Sequence, residues 1–224
     1  MDLSISDVSG LLMLDRKEVE KLRKKGTLPC HVIQDKVRFS KHAVIEWALI
    51  NNKPLNLSAN AQFQEFQVES ITPLLDDKSF HYNCSFTRED YIPRMVSQLE
   101  LSENVDRNII EELLLSREQM MSTAIGNGIS LPHPRIPILI GREKPLISFY
   151  FLKEPLDLNS IDGQPVYAII LLLSQTVKQH LCLLAHLSFL LYKDEFRAAL
   201  KKQLPPEELL SLIKSLEKQR DIKV

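Results

Sequence analysis

Cysteine is scarce in this 224-residue chain: Cys30, Cys84 and Cys182 are odd in number, scattered, and include no Cys-x-x-Cys pair. That spacing argues against a disulfide framework and against a zinc site, and a reducing cytoplasm is the expected compartment. Net charge is as scant, formally −1 at pH 7, so any attraction to nucleic acid must come from a local patch. Long apolar runs are missing too. The two longest, Val166 to Leu173 and Leu181 to Leu191, the second broken by His186 and Ser188, fall short of the roughly 20 residues that a membrane-spanning helix needs. No membrane insertion is expected, and a sugar permease would be another polypeptide. Asp2, Ser4, Ser6 and Asp7 stand where a secretory signal would be basic and then apolar. Neither nucleotide-binding fingerprint is complete: Leu131 occupies the place of a third glycine after Gly126 and Gly128, and no Gly-Lys-Ser/Thr follows. No internal repeat or low-complexity tract is present.

What is there is a soluble, globular composition, 44% hydrophobic and 25% charged, long enough for one medium domain and a small one. The most informative stretch is Arg117-Glu118-Gln119-Met120-Met121-Ser122-Thr123-Ala124-Ile125-Gly126-Asn127-Gly128-Ile129-Ser130-Leu131-Pro132-His133. An imidazole nitrogen can accept a phosphoryl group, a guanidinium can neutralise its oxygens, and Ser/Thr hydroxyls with glycine-exposed N–H groups can fill the remaining acceptor positions. Pro132 and Pro134 would hold His133 on a stiff loop.

The string resembles the active-site segment of the type-2 enzyme IIA domains of the bacterial phosphoenolpyruvate-dependent phosphotransferase system, the fructose, mannitol and nitrogen-regulatory branch. There an Arg-Glu pair precedes Ser-Thr-x-x-Gly-x-Gly-x-x-x-Pro-His. A second segment carries the resemblance further in the same order: the Asp162-Gly163-Gln164-Pro165-Val166 turn, an apolar strand to Leu173, and His180-Leu181-Cys182-Leu183-Leu184-Ala185. The similarity runs from about Glu69 to the C-terminus. Ala124 departs from a usual glycine, Ser130 from a small apolar residue, and Pro134, which lacks an N–H, from a glycine.

The resemblance implies an α/β fold, a mixed β-sheet flanked by helices, in residues 69–224. It makes His133 the nucleophile and phosphoryl carrier, and His180 a second active-site histidine bonding the phosphoryl group. Arg117 and at least one of Ser122 and Thr123 would bind its oxygens. His133 would need its other ring nitrogen to donate a hydrogen bond that fixes the tautomer. Because the donor is another phosphohistidine and no acidic cluster offers ligands, no metal and no cofactor are expected. Asp162 and Gly163 read as turn formers, and His186 as partly buried core off the His180 face.

Residues 1–52 read as a separate module followed by a linker over 53–68. Two helices, the second capped by Asp15 and ended by Gly26, precede Leu28-Pro29, a hairpin turning at Gln34-Asp35-Lys36, and a third helix capped by Ser40 and holding Ala43, Val44 and Trp47. This order resembles the excisionase and MerR type of winged helix-turn-helix, which implies DNA contacts from Arg16, Lys17, Lys21, Arg23, Lys24 and Lys25 on the second helix and from Lys36 and Arg38 on the wing. In the larger domain a strand is predicted over Phe80 to Cys84, a helix from about Ile92 with Pro93 in its first turn, and a helix over Val105 to Leu115. Strands over Leu146 to Leu152 and Val166 to Leu173 and helices over Val177 to Tyr192 and Pro206 to Lys218 complete it.

Three functions are compatible with these residues. The first is a regulatory protein phosphorylated by an HPr-type carrier, with a DNA-binding or partner-binding output. The second is a soluble IIA component passing phosphate to a IIB partner, and the third an interaction module whose histidine is unused. In the first two the chain is a phosphoryl carrier rather than a turnover enzyme.

Overall fold

The computed structural model describes residues 2–33, 36–51, 53–56, 70–103, 105–138, 140 and 144–221. The expected hairpin turn at Gln34-Asp35 and the linker residues 57–68 lie outside them.

The N-terminal segment opens with β1 (Asp2–Leu3) and α1 (Ile5–Leu12). Ser4 and Asp7 close a capping box on α1, the Asp7 N–H donating to Ser4 Oγ at 3.3 Å and the Ser4 N–H to Asp7 Oδ2 at 2.9 Å. Met13, with φ 54, ends the helix in the left-handed region. Asp15 and Glu18 form a second capping box at the start of α2 (Arg16–Lys24). The hairpin β2 (His31–Ile33) and β3 (Lys36–Ser40) leads into α3 (Lys41–Ile50), and β1 pairs with the far edge of β3. Helix, helix, hairpin and helix follow in the expected order. Ser40 does not cap α3 with its side chain, because it is still a strand residue, paired with Asp2.

The larger sheet has the order β4-β7-β8-β6-β5, formed by β4 (Phe80–Cys84), β5 (Ala124–Gly126), β6 (Ile129–Ser130), β7 (Leu146–Leu156) and β8 (Val166–Leu173). Pairing is parallel for β4 with β7 and for β6 with β8, and antiparallel elsewhere, so the sheet is mixed. Strand alternation divides its side chains between two cores. Ala168, Ile170 and Leu172 join Ile147, Phe149 and Phe151 on one face, while Ile169, Leu171 and Leu173 join Tyr150 and Leu152 on the other. The second face is covered by α4 (Tyr91–Gln98) and α5 (Arg107–Met120) through Ile92, Met95, Val96, Ile110 and Leu114. Pro93 sits in the first turn of α4, where its missing N–H costs nothing.

The first face is covered by α6 (Val177–Tyr192), α7 (Asp194–Lys201) and α8 (Pro206–Asp221). The N-terminal segment belongs to the same side: Leu11, Phe39, Val44, Ile45 and Ala48 are continuous with that core, and α3 packs against α6. In the middle of α6, His186 is fully buried rather than half-buried, with Nδ1 3.7 Å from Glu217 Oε1. Glu217 on α8 also accepts from Ser70 Oγ at 2.5 Å, the Ile71 N–H at 2.7 Å and Thr72 Oγ1 at 2.8 Å. One carboxylate thereby ties α8 and α6 to the start of the larger sheet domain.

The Gly-x-Gly pair makes the tight turn of the β5–β6 hairpin. Gly128 has φ +70, and a Cβ there would stand 2.2 Å from Tyr167 Cε1. Gly163, with φ +68, has nothing within 4 Å of its would-be Cβ. Gly128→Ala is therefore expected to cost about 3 kcal/mol, backbone strain plus overpacking. Gly163→Ala is expected to cost about 1 kcal/mol, the backbone term alone. Urea midpoints of the two variants check the difference, and equal losses would show that Tyr167 yields.

Candidate functional site

The carboxyl ends of the parallel strands β6 and β8 position the site, the place where open α/β sheets present their ligand-binding loops. Beyond β6 the chain is pinned on both sides: the Leu131 N–H donates to the Thr123 carbonyl at 2.9 Å, and the Leu172 N–H to the Pro132 carbonyl at 3.0 Å. Further on, the Ile138 N–H donates to the Ser174 carbonyl at 2.9 Å. His133 is held between these anchors with only 3% of its surface exposed. Its Nδ1 lies 2.8 Å from the Leu131 carbonyl oxygen, which can only accept, so Nδ1 carries the proton. That is the tautomer-fixing bond the sequence asks for, and it leaves Nε2 as the atom that faces the rest of the site.

His180 enters from α6, whose first turn is capped by Thr176. It is the fourth residue of that helix. Its ring centroid is 5.4 Å from that of His133 at a 47° tilt, and its Nδ1 is 3.1 Å from Ser174 Oγ. Arg117 arrives from the last turn of α5, which runs five residues beyond the predicted Leu115. One guanidinium nitrogen, Nη1, donates to the Met121 carbonyl at 2.7 Å, and Nη2 donates to Glu46 Oε1 at 2.6 Å. Glu46, from the middle of α3, places the same Oε1 3.2 Å from His133 Nε2. Burial would raise the Glu46 pKa, but the hydrogen bond from His133 and the positive charge of Arg117 outweigh it and hold the carboxyl at about 2. The cluster thus comprises two imidazoles, one guanidinium and an ionised carboxylate.

Ser122 and Thr123 direct their hydroxyl protons to protein acceptors. Ser122 Oγ donates to the Leu158 carbonyl at 2.6 Å, and Thr123 Oγ1 donates to Glu118 Oε2 at 2.6 Å. Each hydroxyl has one proton, and each proton is spent. Glu118 also accepts from the Thr123 N–H at 2.9 Å. Its role is to lock the strand that carries the Leu131 anchor. Ser130, the departure from a small apolar residue, is buried 3.1 Å from Thr123 Oγ1; with the Thr123 proton committed to Glu118, Ser130 is the donor. Between the two glycines, the Asn127 N–H donates to Asp162 Oδ2 at 2.7 Å. Asp162 accepts from Ser160 Oγ and the Gln164 N–H as well, so the Asp-Gly turn braces the β5–β6 hairpin.

Glu46 is the residue that sequence reasoning missed. It lies outside the His133 string, yet it is the lone carboxylate in the run His42-Ala43-Val44-Ile45-Glu46-Trp47-Ala48-Leu49-Ile50. A single charge in an apolar helix demands a partner, and that signal was legible.

Of the cations expected to contact DNA, Arg16, Lys17, Lys21 and Lys24 are exposed along α2, Lys25 at its C-cap and Lys36 on β3. Arg16 donates to Ser6 Oγ at 2.8 Å, Arg23 is paired with Glu20 at 2.8 Å, and Arg38 donates to the Val37 carbonyl at 3.2 Å. Among the described residues no group of three or more His, Cys, Asp or Glu could hold a metal ion, and no helix is long and apolar enough to cross a membrane.

The family model for the phosphoenolpyruvate-dependent sugar phosphotransferase system, EIIA 2, matches residues 74–216. The chain belongs to that family. Arg117, His133 and His180 fall inside the matched EIIA 2 stretch, and Glu46 falls outside it. The fructose-specific EIIABC component of Bacillus subtilis is 32% identical over 152 residues, which cover 66% of this chain and 24% of that protein. This chain therefore spans about a quarter of that relative's length. The nitrogen regulatory protein of Pseudomonas aeruginosa is 33% identical over 110 residues, 48% of this chain and 70% of that protein. In fold, the EIIA 2 domain resembles the nitrogen regulatory protein IIA-Ntr of Neisseria meningitidis, with a TM-score of 0.56 at 23% identity over 64% of this chain and 98% of that one.

Proposed function

We propose that this chain is a phosphotransferase-linked regulatory protein in which His133 Nε2 accepts a phosphoryl group from an HPr-type carrier and the N-terminal segment delivers the output. The observation that supports it most is the arrangement at His133: Nδ1 is committed to Leu131, while Nε2 faces an anion already held by Arg117. A phosphoryl group on Nε2 would meet the same guanidinium, with His180 beside it. Incubation of the full chain with phosphoenolpyruvate, enzyme I and an HPr-type carrier should add the mass of one acid-labile phosphoryl group. No mass change would leave the third reading, an interaction module.

We read residues 1–52 as a winged helix-turn-helix module, with 53–68 as a linker and 69–224 as the IIA domain. Two capped helices at the start and the exposed cations of α2 support DNA as the partner. If DNA binds there, Lys21→Ala and Lys24→Ala should each reduce the slope of log affinity against log salt by about 0.9. Unchanged slopes in a filter-binding titration would remove α2 from the interface. The Bacillus subtilis match favours a second reading, a IIA component serving a IIB partner. Transfer of label from phosphorylated chain to a IIB domain, without any DNA binding, would select it.

A further inference from the structure

We propose that α3 is an internal occupant of the phosphoryl site, so that docking of α3 and phosphorylation of His133 exclude one another. The proposal rests on the reading of His133 as the acceptor. Glu46 Oε1 stands 3.2 Å from Nε2 and 2.6 Å from Arg117 Nη2. A phosphorus bonded to Nε2, with its three oxygens, cannot share that space with the carboxylate. Both anions would also claim one guanidinium, and roughly two negative charges would be added beside an ionised Glu46. The carboxylate fills the place of the phosphoryl oxygens.

Docking blocks the reaction in a second way. The Leu131 carbonyl and the ionised Glu46 can only accept, so for both contacts to be hydrogen bonds both ring nitrogens of His133 must donate. An imidazole that donates from Nε2 has no lone pair there to attack phosphorus. As α3 withdraws, that proton passes to water. The Nε2–P bond then forms as the carrier's N–P bond breaks, each ring keeping one proton on its other nitrogen, with nothing oxidised or reduced. Access follows the same rule, since His133 is 3% exposed with α3 in place.

This supplies the differential contact that a switch needs. A modification changes an equilibrium only if it interacts differently with the two states, and here the docked state loses its ion pair while the released state gains Arg117 for the phosphoryl group. The helix that moves follows directly from the hairpin and is part of the segment that carries the basic face.

The test uses the full chain as wild type, Glu46→Ala and Glu46→Gln, with circular dichroism melts confirming that each folds. Two readouts are taken: the rate of phosphoryl uptake from the carrier, and the rate at which diethyl pyrocarbonate modifies His133, followed by peptide mass. Both should rise at least about fivefold in the variants, the lower end of typical coupling between sites. Equal carbethoxylation rates in wild type and both variants would overturn the occupant proposal, whatever the carrier does. Faster carbethoxylation with no phosphoryl uptake in any protein would uphold it and sink the phosphoryl-acceptor reading instead. Faster carbethoxylation with equal uptake rates would overturn the mutual exclusion.

Discussion

His133→Ala is expected to lose phosphoryl uptake completely while keeping its fold. No other nucleophile in the cluster has a ring nitrogen in the same setting: His180 Nδ1 is engaged with Ser174, and its ring centroid stands 5.4 Å from that of His133. Arg117→Ala is expected to retain the nucleophile but slow uptake by about 100-fold, the usual cost of removing one charge-stabilising donor from a reacting oxyanion. Its effect should exceed that of Ser122→Ala or Thr123→Ala on rate, because those hydroxyls hold Leu158 and Glu118 and not the reacting atom. Initial rates of label incorporation rank the four variants, and a Thr123→Ala loss as deep as that of Arg117→Ala would place a hydroxyl on the phosphoryl group.

The second large effect is on stability, at Glu217. Removing this carboxylate by Glu217→Ala strands Ser70 Oγ, the Ile71 N–H, Thr72 Oγ1 and His186 around a buried void, and about 3–5 kcal/mol is the expected cost of breaking such a network from one side. The same group makes stability depend on pH. Burial pushes the Glu217 pKa up, but hydrogen bonds from His186, Ser70, the Ile71 N–H and Thr72 win and hold it at about 2 against 4.5 for a free glutamate. A carboxyl lowered in the folded state contributes fully above about pH 4.5, and the contribution drains away as pH falls towards 2. Glu46 behaves in the same direction, since it too is held at about 2. Each can contribute at most about 3 kcal/mol at neutral pH. Urea midpoints at pH 7 and pH 3 should converge between wild type and Glu217→Gln as pH falls; a constant gap would mean that the network stabilises through shape and not through charge.

Much of the fold was legible because its signals are local. The apolar run Val166 to Leu173, eight residues long, reads as a doubly buried strand, and Asp15 followed by Glu18 announces a helix start before any tertiary contact exists. The hairpin at Ala124 to Ser130 has no strand signal in the sequence, because its strands are three and two residues long around a glycine turn, too short to show a period. The helix α7 was missed because only Lys193 separates it from α6, and composition does not mark a break between two helices with no glycine or proline. In the candidate site, His133 and Arg117 are named by one string and His180 by the second segment, and the structure brings the three side chains near one another. The partners of the Ser122 and Thr123 hydroxyls are not legible, because residue type tells what a group can donate and not where its only proton goes. The lone charge of Glu46 in an apolar helix shows that it needs a partner, but the identity of that partner, His133, lies 87 residues away in sequence and no local pattern contains it.

The most direct test of the central claim is nitrogen-15 and phosphorus-31 NMR of the full chain after phosphorylation by the carrier, using a protein labelled in its histidine rings. The account predicts one phosphorus coupled to Nε2 of His133, with Nδ1 still protonated and hydrogen-bonded to Leu131. Phosphorus coupled to Nδ1 of His133, or to a ring of His180, would contradict it.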